Sequence, residues 1–254
     1  MERISAVIIA GAEENNISDC LQSVRFADEI IVVNSGSRDR TVEIAQSFTD
    51  RVYVHAWEGY AAQKSYAVSL ATNEWVLSID ADERVSSELR DEIKSLNFES
   101  ADGFFIPRRN FFIDRVIRSC GWFPDYQMRL FRKSKTSVTD RRVHEGFMVN
   151  GKTGRLSGEL IHFTHMTIEN TMRKSNEFSS LSAEEKASRR RVKGRHIFFY
   201  PLYAFFHHYI LRRGFTEGVH GLMVSMIHAV TNLQTQMKIW EIQNIKNKEQ
   251  KKPE

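Results

Sequence analysis

The 254-residue chain has few cysteines and no long apolar run. Cys20 and Cys120 are its only cysteines, too few for a disulfide framework, so a reducing cytosolic setting is the simplest interpretation. The apolar run at residues 4–10 is too short for a signal peptide, and no small-residue cleavage site follows it. No stretch reaches about 18 uncharged apolar residues, which argues against a membrane-spanning helix.

Proline and glycine are too sparse to mark linkers. The chain has 4 prolines and 13 glycines, with no Pro- or Gly-rich stretch and no internal repeat. Its 41% apolar and 27% charged residues exclude wholesale disorder, and its length suits one domain with an appendage. One boundary is plausible, near residues 185–195. We therefore predict a domain over residues 1–185 and an extension over residues 186–254.

Acidic residues are concentrated early in the chain and basic residues late. Residues 1–100 contain 9 Lys and Arg against 18 Asp and Glu, whereas residues 101–254 contain 27 against 14. The acidic part has the composition to hold a metal ion. The basic part has the composition to face phosphates, an anionic membrane or nucleic acid, and composition does not decide among these partners.

Short apolar strands alternate with helical patterns over the first 80 residues. The β-branched, apolar runs predict buried strands at 4–10, 29–34, 52–56 and 75–80. Between them, apolar spacing of i, i+3, i+4 and i+7 predicts helices. This alternation is typical of βαβ units, so the fold class is α/β with a parallel sheet. In such sheets the ligand binds beyond the carboxyl ends of the strands.

The second half is less regular. Strands of a mixed extension are predicted at 103–107 and 128–132, and a helix at 167–188. A stretch with six basic residues in twelve then precedes the aromatic-rich segment 196–211. That segment is interpreted as a core helix, a partner surface or an interfacial membrane helix, and Pro201 argues against a spanning one.

Two carboxylates one residue apart, Asp80 and Asp82, directly follow the apolar part of the strand at 75–80. Mg²⁺ and Mn²⁺ take oxygen ligands, and Mg²⁺ is commonly shared with substrate phosphates. Paired acids in a solvated turn are common and by themselves indicate little. Their position at the end of a predicted central strand favours a metal site.

A second turn, residues 34–41, follows a strand and opens a helix. Gly36 permits a tight turn, and Ser37 or Asp39 is suited to cap the helix. In one interpretation the segment is a turn and a cap. In the other it also hydrogen-bonds a nucleotide base or ribose.

Several ordered motifs resemble one known family. They are DEIIVVNSGSRDRTVEIA, WEGYAAQKSYAV and NEWVLSIDADERV, followed by GFFIPRRNFF, GWFPDYQMRLFRK, RRVHEGF and LIHFTH. The first three resemble the family 2 glycosyltransferases, which have the GT-A fold. The whole set is similar to the bacterial lipopolysaccharide core glycosyltransferases, the group that contains the heptose-directed β-1,4-glucosyltransferases. The resemblance spans roughly residues 4–245, and its ordered motifs make a chance match implausible.

This resemblance implies a GT-A fold, in which a Rossmann-like, mostly parallel mixed sheet is flanked by helices, with a C-terminal helical, amphipathic extension. It implies an inverting transfer of a hexose, glucose being expected, from a UDP-sugar to a heptose of the lipopolysaccharide inner core. The expected cofactor is Mg²⁺ or Mn²⁺. The acceptor would be a lipid-anchored oligosaccharide, so we expect a cytoplasmic protein, peripheral at the inner membrane's anionic cytoplasmic leaflet, with no nucleic acid partner.

The resemblance also assigns residues to the donor site. Asp80 and Asp82 match the D-x-D pair, Asp82 as the direct metal ligand and Asp80 as a ribose or metal contact. Asp39 matches the acid of the nucleotide loop. Glu13 is nearest to the acid of the first loop, where Ala-Glu-Glu stands in for T-x-N-E or K-N-E. Asn34 replaces the usual Asp and offers a different donor pattern to a base.

Three further residues have a functional and a structural interpretation. Lys64 is expected to reach a diphosphate, the alternative being an exposed helix lysine. Arg129, in a Q-x-R run with Gln127, is suited to bind phosphate or acceptor, the alternative being a structural salt bridge. His162 is a candidate third metal ligand, although a lone histidine is more often structural.

An inverting transfer needs a base that takes the proton of the acceptor hydroxyl, and a carboxylate suffices. Cationic side chains and a metal must neutralise the diphosphate leaving group. Glu145 resembles the family's catalytic acid and is the first candidate for the base, with Asp125 as the second. The structural alternatives are an ion pair with Arg141 or Arg142 for Glu145 and a turn after Pro124 for Asp125.

Other functions fit parts of the sequence. A nucleotidyltransferase would show a Gly-rich, basic phosphate loop after the first strand, and AGAEENN lacks the basic residues. A basic membrane or RNA adaptor would explain residues 189–195 but not the acids at strand ends. A degenerate, inactive GT-A protein that binds nucleotide is a further alternative, because of Asn34 and the altered first loop.

Overall fold

The computed structural model describes residues 2–139 and 146–246. The chain forms two compact units. The sheet unit comprises Met1–Arg109 and Pro124–Phe163, and the helical unit comprises Asn110–Phe123 and Thr164–Glu254. The predicted boundary at residue 185 falls within the helical unit, which begins earlier in the chain and also includes the segment 110–123.

The first half of the sheet unit alternates strands with helices. Its elements are β1 (Ile4–Ala10), α1 (Ile17–Ser23), β2 (Glu29–Asn34), α2 (Thr41–Gln46), β3 (Val52–Val54), α3 (Tyr60–Leu70) and β4 (Trp75–Asp80). The four strands are parallel, in the order β3-β2-β1-β4. The predicted bounds of β1, β2 and β4 are confirmed, because a strand covered on both faces is apolar along its whole length.

The second half extends the sheet with strands of both directions. Its elements are β5 (Glu83–Val85), α4 (Ser87–Lys94), β6 (Gly103–Phe112), β8 (Asp125–Arg132), β9 (Thr136–Val138), β10 (Phe147–Val149), β11 (Thr153–Arg155) and β12 (Leu160–His165). The short β7 (Arg115–Val116) pairs with the end of β6 and lies in the segment 110–123 of the helical unit. The main strand order is β3-β2-β1-β4-β8-β6-β12-β5, and β8 runs antiparallel to β4 and β6. β7 and β11 also pair with β6, and β9 pairs with β10 in a separate two-stranded sheet. The predicted α/β architecture with a mixed sheet flanked by helices is therefore confirmed.

Apolar side chains cover both faces of the sheet. Along β1, Ala6 and Ile8 contribute to one buried cluster and Val7 to the other, because successive side chains of a strand point to opposite faces. Trp75 at the start of β4 is fully buried and packs edge-on against Phe98, with ring centroids 4.8 Å apart. These clusters fix the register of the strands whose carboxyl ends carry the polar turns.

The helical unit is built on three helices. They are α5 (Ile168–Lys186), α6 (Gly194–Phe206) and α7 (Gly218–Glu241), with a π-helical turn at His207–Leu211 after α6. Both α5 and α6 pack against α7. Along the α5 contact the buried side chains are hydroxyls such as Ser175, Ser179 and Ser182, and Ser175 shares a hydrogen bond with Thr231 of α7 at 2.5 Å. No helix in the described parts of the chain is both long and apolar enough to cross a bilayer.

Candidate active site

The acidic turn after β4 is held by backbone and guanidinium contacts. Ala81 donates its N–H to the Ile9 carbonyl of β1 at 3.2 Å. The buried Arg84 donates to the carbonyl oxygens of Ala81 (3.1 Å) and Glu83 (3.0 Å). Asp80 and Asp82 therefore lie at the carboxyl end of β4, the edge at which α/β sheets bind ligands.

Arg129 of β8 joins two carboxylates of this turn. Its Nη2 lies 2.5 Å from Oδ2 of Asp80 and 2.6 Å from Oε1 of Glu83. Arg129 is 3% exposed and Glu83 is fully buried. The antiparallel pairing of β8 with β4 brings the guanidinium to the turn. The structural salt bridge, one of the two interpretations of Arg129, is therefore present.

Positive charge surrounds Asp80. Burial by itself would raise the pKa of Asp80, but the charges of Arg129 and Lys64 and the hydrogen bond from Arg129 outweigh it and hold the pKa well below its ordinary value. Burial likewise opposes the charge of Arg129, whereas Asp80 and Glu83 together raise its pKa. Both groups of this pair are ionised at neutral pH.

Lys64 reaches the same carboxylate from α3. Its Nζ lies 3.7 Å from Oδ1 of Asp80, an oxygen that lacks a hydrogen-bond partner although it is buried. Lys64 is buried, so the alternative of an exposed helix lysine is wrong. The ammonium also lies over the ring of the half-exposed Tyr60, 6.0 Å from its centroid. A compact cation thus stands at the sheet edge, where an anionic ligand would bind.

Asp82 and His162 approach each other beside this cluster. Oδ1 of Asp82 lies 3.5 Å from Nε2 of His162, and β12 places His162 opposite Glu83 of β5. Within residues 2–139 and 146–246, no group of three or more His, Cys, Asp or Glu side chains is gathered to hold one ion. Asp82 and His162 would supply one carboxylate and one imidazole to a divalent ion whose other ligands are substrate phosphates and water.

Asn34 shapes the loop after β2. Its Nδ2 donates to the Gly11 carbonyl and to Oγ of Ser37, both at 3.0 Å, and its Oδ1 accepts the N–H groups of Gly36 and Ser37, both at 2.8 Å. These four bonds use the two donors and the two acceptor positions of the amide. A direct contact of Asn34 with a base or ribose would have to replace one of them.

Glu13 and Asp39 connect the first two loops. The Glu13 N–H donates to Oγ1 of Thr41 at 2.8 Å, while the Asp39 carboxylate accepts the N–H groups of Glu14 and Thr41, both at 3.2 Å. Burial by itself would raise the pKa of Asp39, but the hydrogen bonds from Thr41, Glu14 and Ser37 together outweigh it and lower that pKa. The structure therefore brings Glu13, Asn34 and Asp39 into one pair of contacting loops.

Asp125 opens β8 in contact with two donors. Arg108 of β6 donates to Oδ2 through Nε at 2.8 Å and Nη2 at 2.6 Å, and Gln127 donates to Oδ1 at 2.6 Å. Both carboxylate oxygens are therefore engaged within the protein. The first candidate for the base, Glu145, lies outside the described residues.

Two residues of this cluster escaped the assignment of site residues from sequence. In the sequence Glu83 directly follows the D-x-D pair, and Arg108 lies in the strand GFFIPRRNFF. In the structure Arg108 Nη1 lies 3.5 Å from Oε1 of Glu83, so it connects the Arg129 cluster to Asp125. The adjacency of Glu83 to the D-x-D pair is the one signal that points to it. The position of Arg108 depends on the β6–β8 pairing, which sequence does not reveal.

Comparison with known proteins settles the family. Residues 5–150, more than half of the chain, match the model of glycosyl transferase family 2. The chain belongs to glycosyl transferase family 2. The matched region contains the Asp80-Ala81-Asp82 turn and the loops after β1 and β2, so the predicted resemblance to this family and its GT-A fold is confirmed.

Relatives extend this family similarity over nearly the whole chain. The lipopolysaccharide core biosynthesis glycosyltransferase LpsC of Rhizobium meliloti (strain 1021) is 30% identical over 253 residues, covering 94% of this chain and 92% of LpsC. An uncharacterized glycosyltransferase of Rickettsia felis is 33% identical over 261 residues, covering 95% and 90%. The crystal structure of S. aureus TarS aligns with 94% of this chain and 55% of that chain, at 14% identity and a TM-score of 0.49. As a family 2 member similar to LpsC over its length, this chain is a glycosyltransferase.

Proposed function

We propose that this glycosyltransferase moves a hexose, glucose being the expected one, from a UDP-sugar to a heptose of the lipopolysaccharide inner core, with inversion. The observation that carries the proposal is the cluster at the end of β4, where Lys64 flanks Asp80 and His162 flanks Asp82. A cation for a diphosphate and a pair for a divalent metal thus occupy adjacent positions. The similarity to LpsC, whose name refers to lipopolysaccharide core biosynthesis, supports the acceptor class.

Each side chain of the cluster then has a role at the donor. Lys64 stabilises the negative charge of the diphosphate leaving group. Arg129 has 3% exposure and two carboxylate partners, so we assign it to positioning Asp80 rather than to direct phosphate binding. Asp82 and His162, with Asp80 beside them, would hold Mg²⁺ or Mn²⁺. When bound, such an ion supplies Lewis-acid stabilisation of the departing diphosphate.

The two contacting loops after β1 and β2 complete the proposed donor site. Asp39 and Glu13 present carboxylates there, whereas Asn34 holds the loop that carries Asp39. We assign Asp39 to the nucleoside and Asn34 to the shape of its binding loop. These assignments keep all three residues in the donor site but give the amide an indirect role.

The base in this proposal is Glu145, with Asp125 second. Asp125 already accepts three hydrogen bonds from Arg108 and Gln127, so an acceptor hydroxyl would have to compete for its remaining lone pairs. The proposal also places the reaction at the cytoplasmic face of the inner membrane, where a lipid-anchored acceptor would be exposed.

Calorimetric titration with UDP, with and without Mn²⁺, tests the donor site. We expect UDP binding that strengthens with Mn²⁺ and exceeds that of GDP and ADP. Asp82→Asn should lose the Mn²⁺ dependence, whereas Asp50→Asn, which alters an exposed acid of the same unit, should retain it. Absence of nucleotide binding by the folded wild type would reject the proposal and favour the adaptor alternative.

Transfer from labelled UDP-glucose to a heptose-containing core oligosaccharide tests the reaction. Glu145→Gln should lower kcat by about 100-fold or more while UDP affinity is kept, and Asp125→Asn should lower it less. Nucleotide binding without transfer to any core acceptor would instead identify a degenerate, inactive family member. The reverse order of the two variants would assign the base to Asp125.

A further inference from the structure

The apolar face of α6 is exposed. Phe198, Leu202 and Phe206 are 64%, 45% and 52% exposed, and Phe199 and Tyr203 beside them are 61% and 66% exposed. The spacing of Phe198, Leu202 and Phe206, at i, i+4 and i+8, places these three side chains on one stripe of the helix. Helices of globular proteins normally bury such a stripe, whereas here Ala204 is the buried residue of α6 and the large rings face outwards.

The exposed rings continue beyond the end of α6. Phe205 contacts Phe206 and Tyr209, with ring centroids 5.4 Å apart in both pairs, and Tyr209 contacts Phe215 at 6.4 Å. Further exposed apolar side chains follow in the same stretch of chain: Ile210, Leu211, Phe215, Val219, Leu222 and Met226. We call these residues, together with the α6 stripe, the aromatic surface. The ring contacts make the aromatic part of this surface continuous from Phe205 to Phe215, and soluble proteins rarely expose a large contiguous apolar patch unless it binds something.

Positive charge brackets the α6 stripe. Arg191, Lys193 and Arg195 precede the stripe and Arg212 and Arg213 follow it, and all five residues are exposed. The sequence has no Asp or Glu from residue 187 to residue 216. The next acid, Glu217, is buried, accepts the N–H of Arg118 and lies 3.3 Å from Arg115, so it adds no free negative charge to this surface.

We propose that the aromatic surface rests in the headgroup–acyl boundary of an anionic lipid bilayer, with α6 lying parallel to the membrane plane. Phe and Leu side chains enter the acyl boundary, Tyr203 sits at the headgroup level, and the flanking Arg and Lys side chains contact lipid phosphates. The 13 residues of α6 span about 20 Å, which is too short to cross a bilayer but suits a helix that lies on it.

The charge pattern favours a bilayer over a second copy of the chain. Two copies meeting through the α6 stripe would bring the exposed basic side chains at 191–195 and 212–213 of both copies together, which opposes association. An anionic leaflet instead complements the basic border and the apolar stripe at once. The inference depends only on the helical unit, so it stands or falls independently of the donor and acceptor proposed above.

Vesicle co-sedimentation of the full chain tests the proposal. We expect binding to phosphatidylcholine vesicles that contain about 30 mol % phosphatidylglycerol, weak binding to pure phosphatidylcholine, and weaker binding as salt rises. The variant Phe198→Ser/Phe206→Ser should lower the partition coefficient by about tenfold or more. Arg191→Glu/Arg195→Glu should weaken binding to the anionic vesicles selectively.

A matched control removes exposed apolar side chains outside the aromatic surface. Met148→Ser/Met237→Ser, at residues that are 58% and 52% exposed, should bind vesicles like the wild type. Circular dichroism should show that all four proteins are equally helical, since each change is at an exposed side chain. The proposal is overturned by wild-type vesicle binding in Phe198→Ser/Phe206→Ser. It is also overturned if the wild type ignores anionic vesicles and sediments as a dimer that this variant dissociates.

Discussion

Replacing Arg129 with methionine should lower the free energy of unfolding of the sheet unit more than a change at an exposed arginine does. Methionine keeps much of the length and volume of the side chain but removes the charge shared by Asp80 and Glu83. Glu83 is fully buried and would keep only Arg108 at 3.5 Å and the N–H of Asp80 at 3.0 Å. Removing one partner of a buried ion pair typically costs 3–5 kcal/mol, and the remaining contacts place the expected loss at about 3 kcal/mol.

The substitution Arg129→Met should also change how the free energy of unfolding depends on pH. In the wild type the pKa of Asp80 is held below its ordinary value, so the unfolded chain binds a proton first as pH falls below that value, near 3.8. Stability from this group is therefore complete above the ordinary value and declines below it, by about 1.4 kcal/mol per pH unit. In Arg129→Met the largest charge that lowers the pKa of Asp80 is gone, while Lys64 and Arg108 remain, so the pKa moves back towards its ordinary value and this decline should become smaller.

Urea unfolding between about pH 2.5 and 7, followed by circular dichroism, measures both effects. Arg132→Met is the matched control on the same strand. Its guanidinium lies 3.6 Å from Asp102 and 3.5 Å from Glu99, and the Glu99 side chain is 82% exposed. That change should cost less, about 1–2 kcal/mol, because its acidic partners are more exposed, although the guanidinium also lies over the Trp75 ring. If both variants lose the same stability, or if Arg129→Met keeps the wild-type slope at low pH, the account of this cluster is wrong.

Three further predictions follow from local packing. Gly221→Ala should cost about 3 kcal/mol or more in urea unfolding, because an added Cβ would meet the Gly214 carbonyl oxygen at 1.8 Å, whereas Gly194→Ala, with nothing within 4 Å, should be near neutral. Equal stability of the two variants would contradict the close approach of α7 to residue 214. Asn34→Asp, although it introduces the usual family residue, should cost about 1–2 kcal/mol because both amide donations to Gly11 and Ser37 are lost, and unchanged thermal unfolding would refute this. Cys20 and Cys120 are both buried, and burial raises the pKa of the Cys20 thiol despite the charge of Arg84. Ellman's reagent should therefore label neither thiol until urea is added, and rapid labelling of the native protein would disprove their burial.

Three strands of the parallel half were predictable because they are buried on both faces, whereas the predicted strand at 52–56 ends earlier, as the more exposed edge strand β3 (Val52–Val54). The runs at 4–10, 29–34 and 75–80 became β1, β2 and β4 with unchanged bounds. A strand of this kind can be recognised in the sequence by its unbroken apolar run. The strands at 103–107 and 128–132 were found but proved longer, as β6 and β8, because their added residues, RRNFF and DYQ, are mostly polar and do not continue the apolar runs.

The geometry of the candidate site could be predicted only in part. Position at a strand end was enough to single out Asp80 and Asp82. The partners of Asp80 were not evident, because Arg129 is 49 residues away and reaches Asp80 only through the antiparallel pairing of β8 with β4. The role of Asn34 was equally hidden, since an amide that holds its own loop and one that faces a ligand look the same in sequence.

The interleaved order of the two units has a consequence for protein engineering. The chain passes from one unit to the other at residues 109–110, 123–124 and 163–164, so neither unit is a single stretch that a truncation can isolate. Phe112, Ile117 and Cys120 pack with Val224 in one buried cluster. A fragment that stops at residue 163 would leave these three side chains without their distant partner and should aggregate. Exchange of the helical unit between relatives therefore requires three junctions, with residues 110–123 transplanted together with the C-terminal helices.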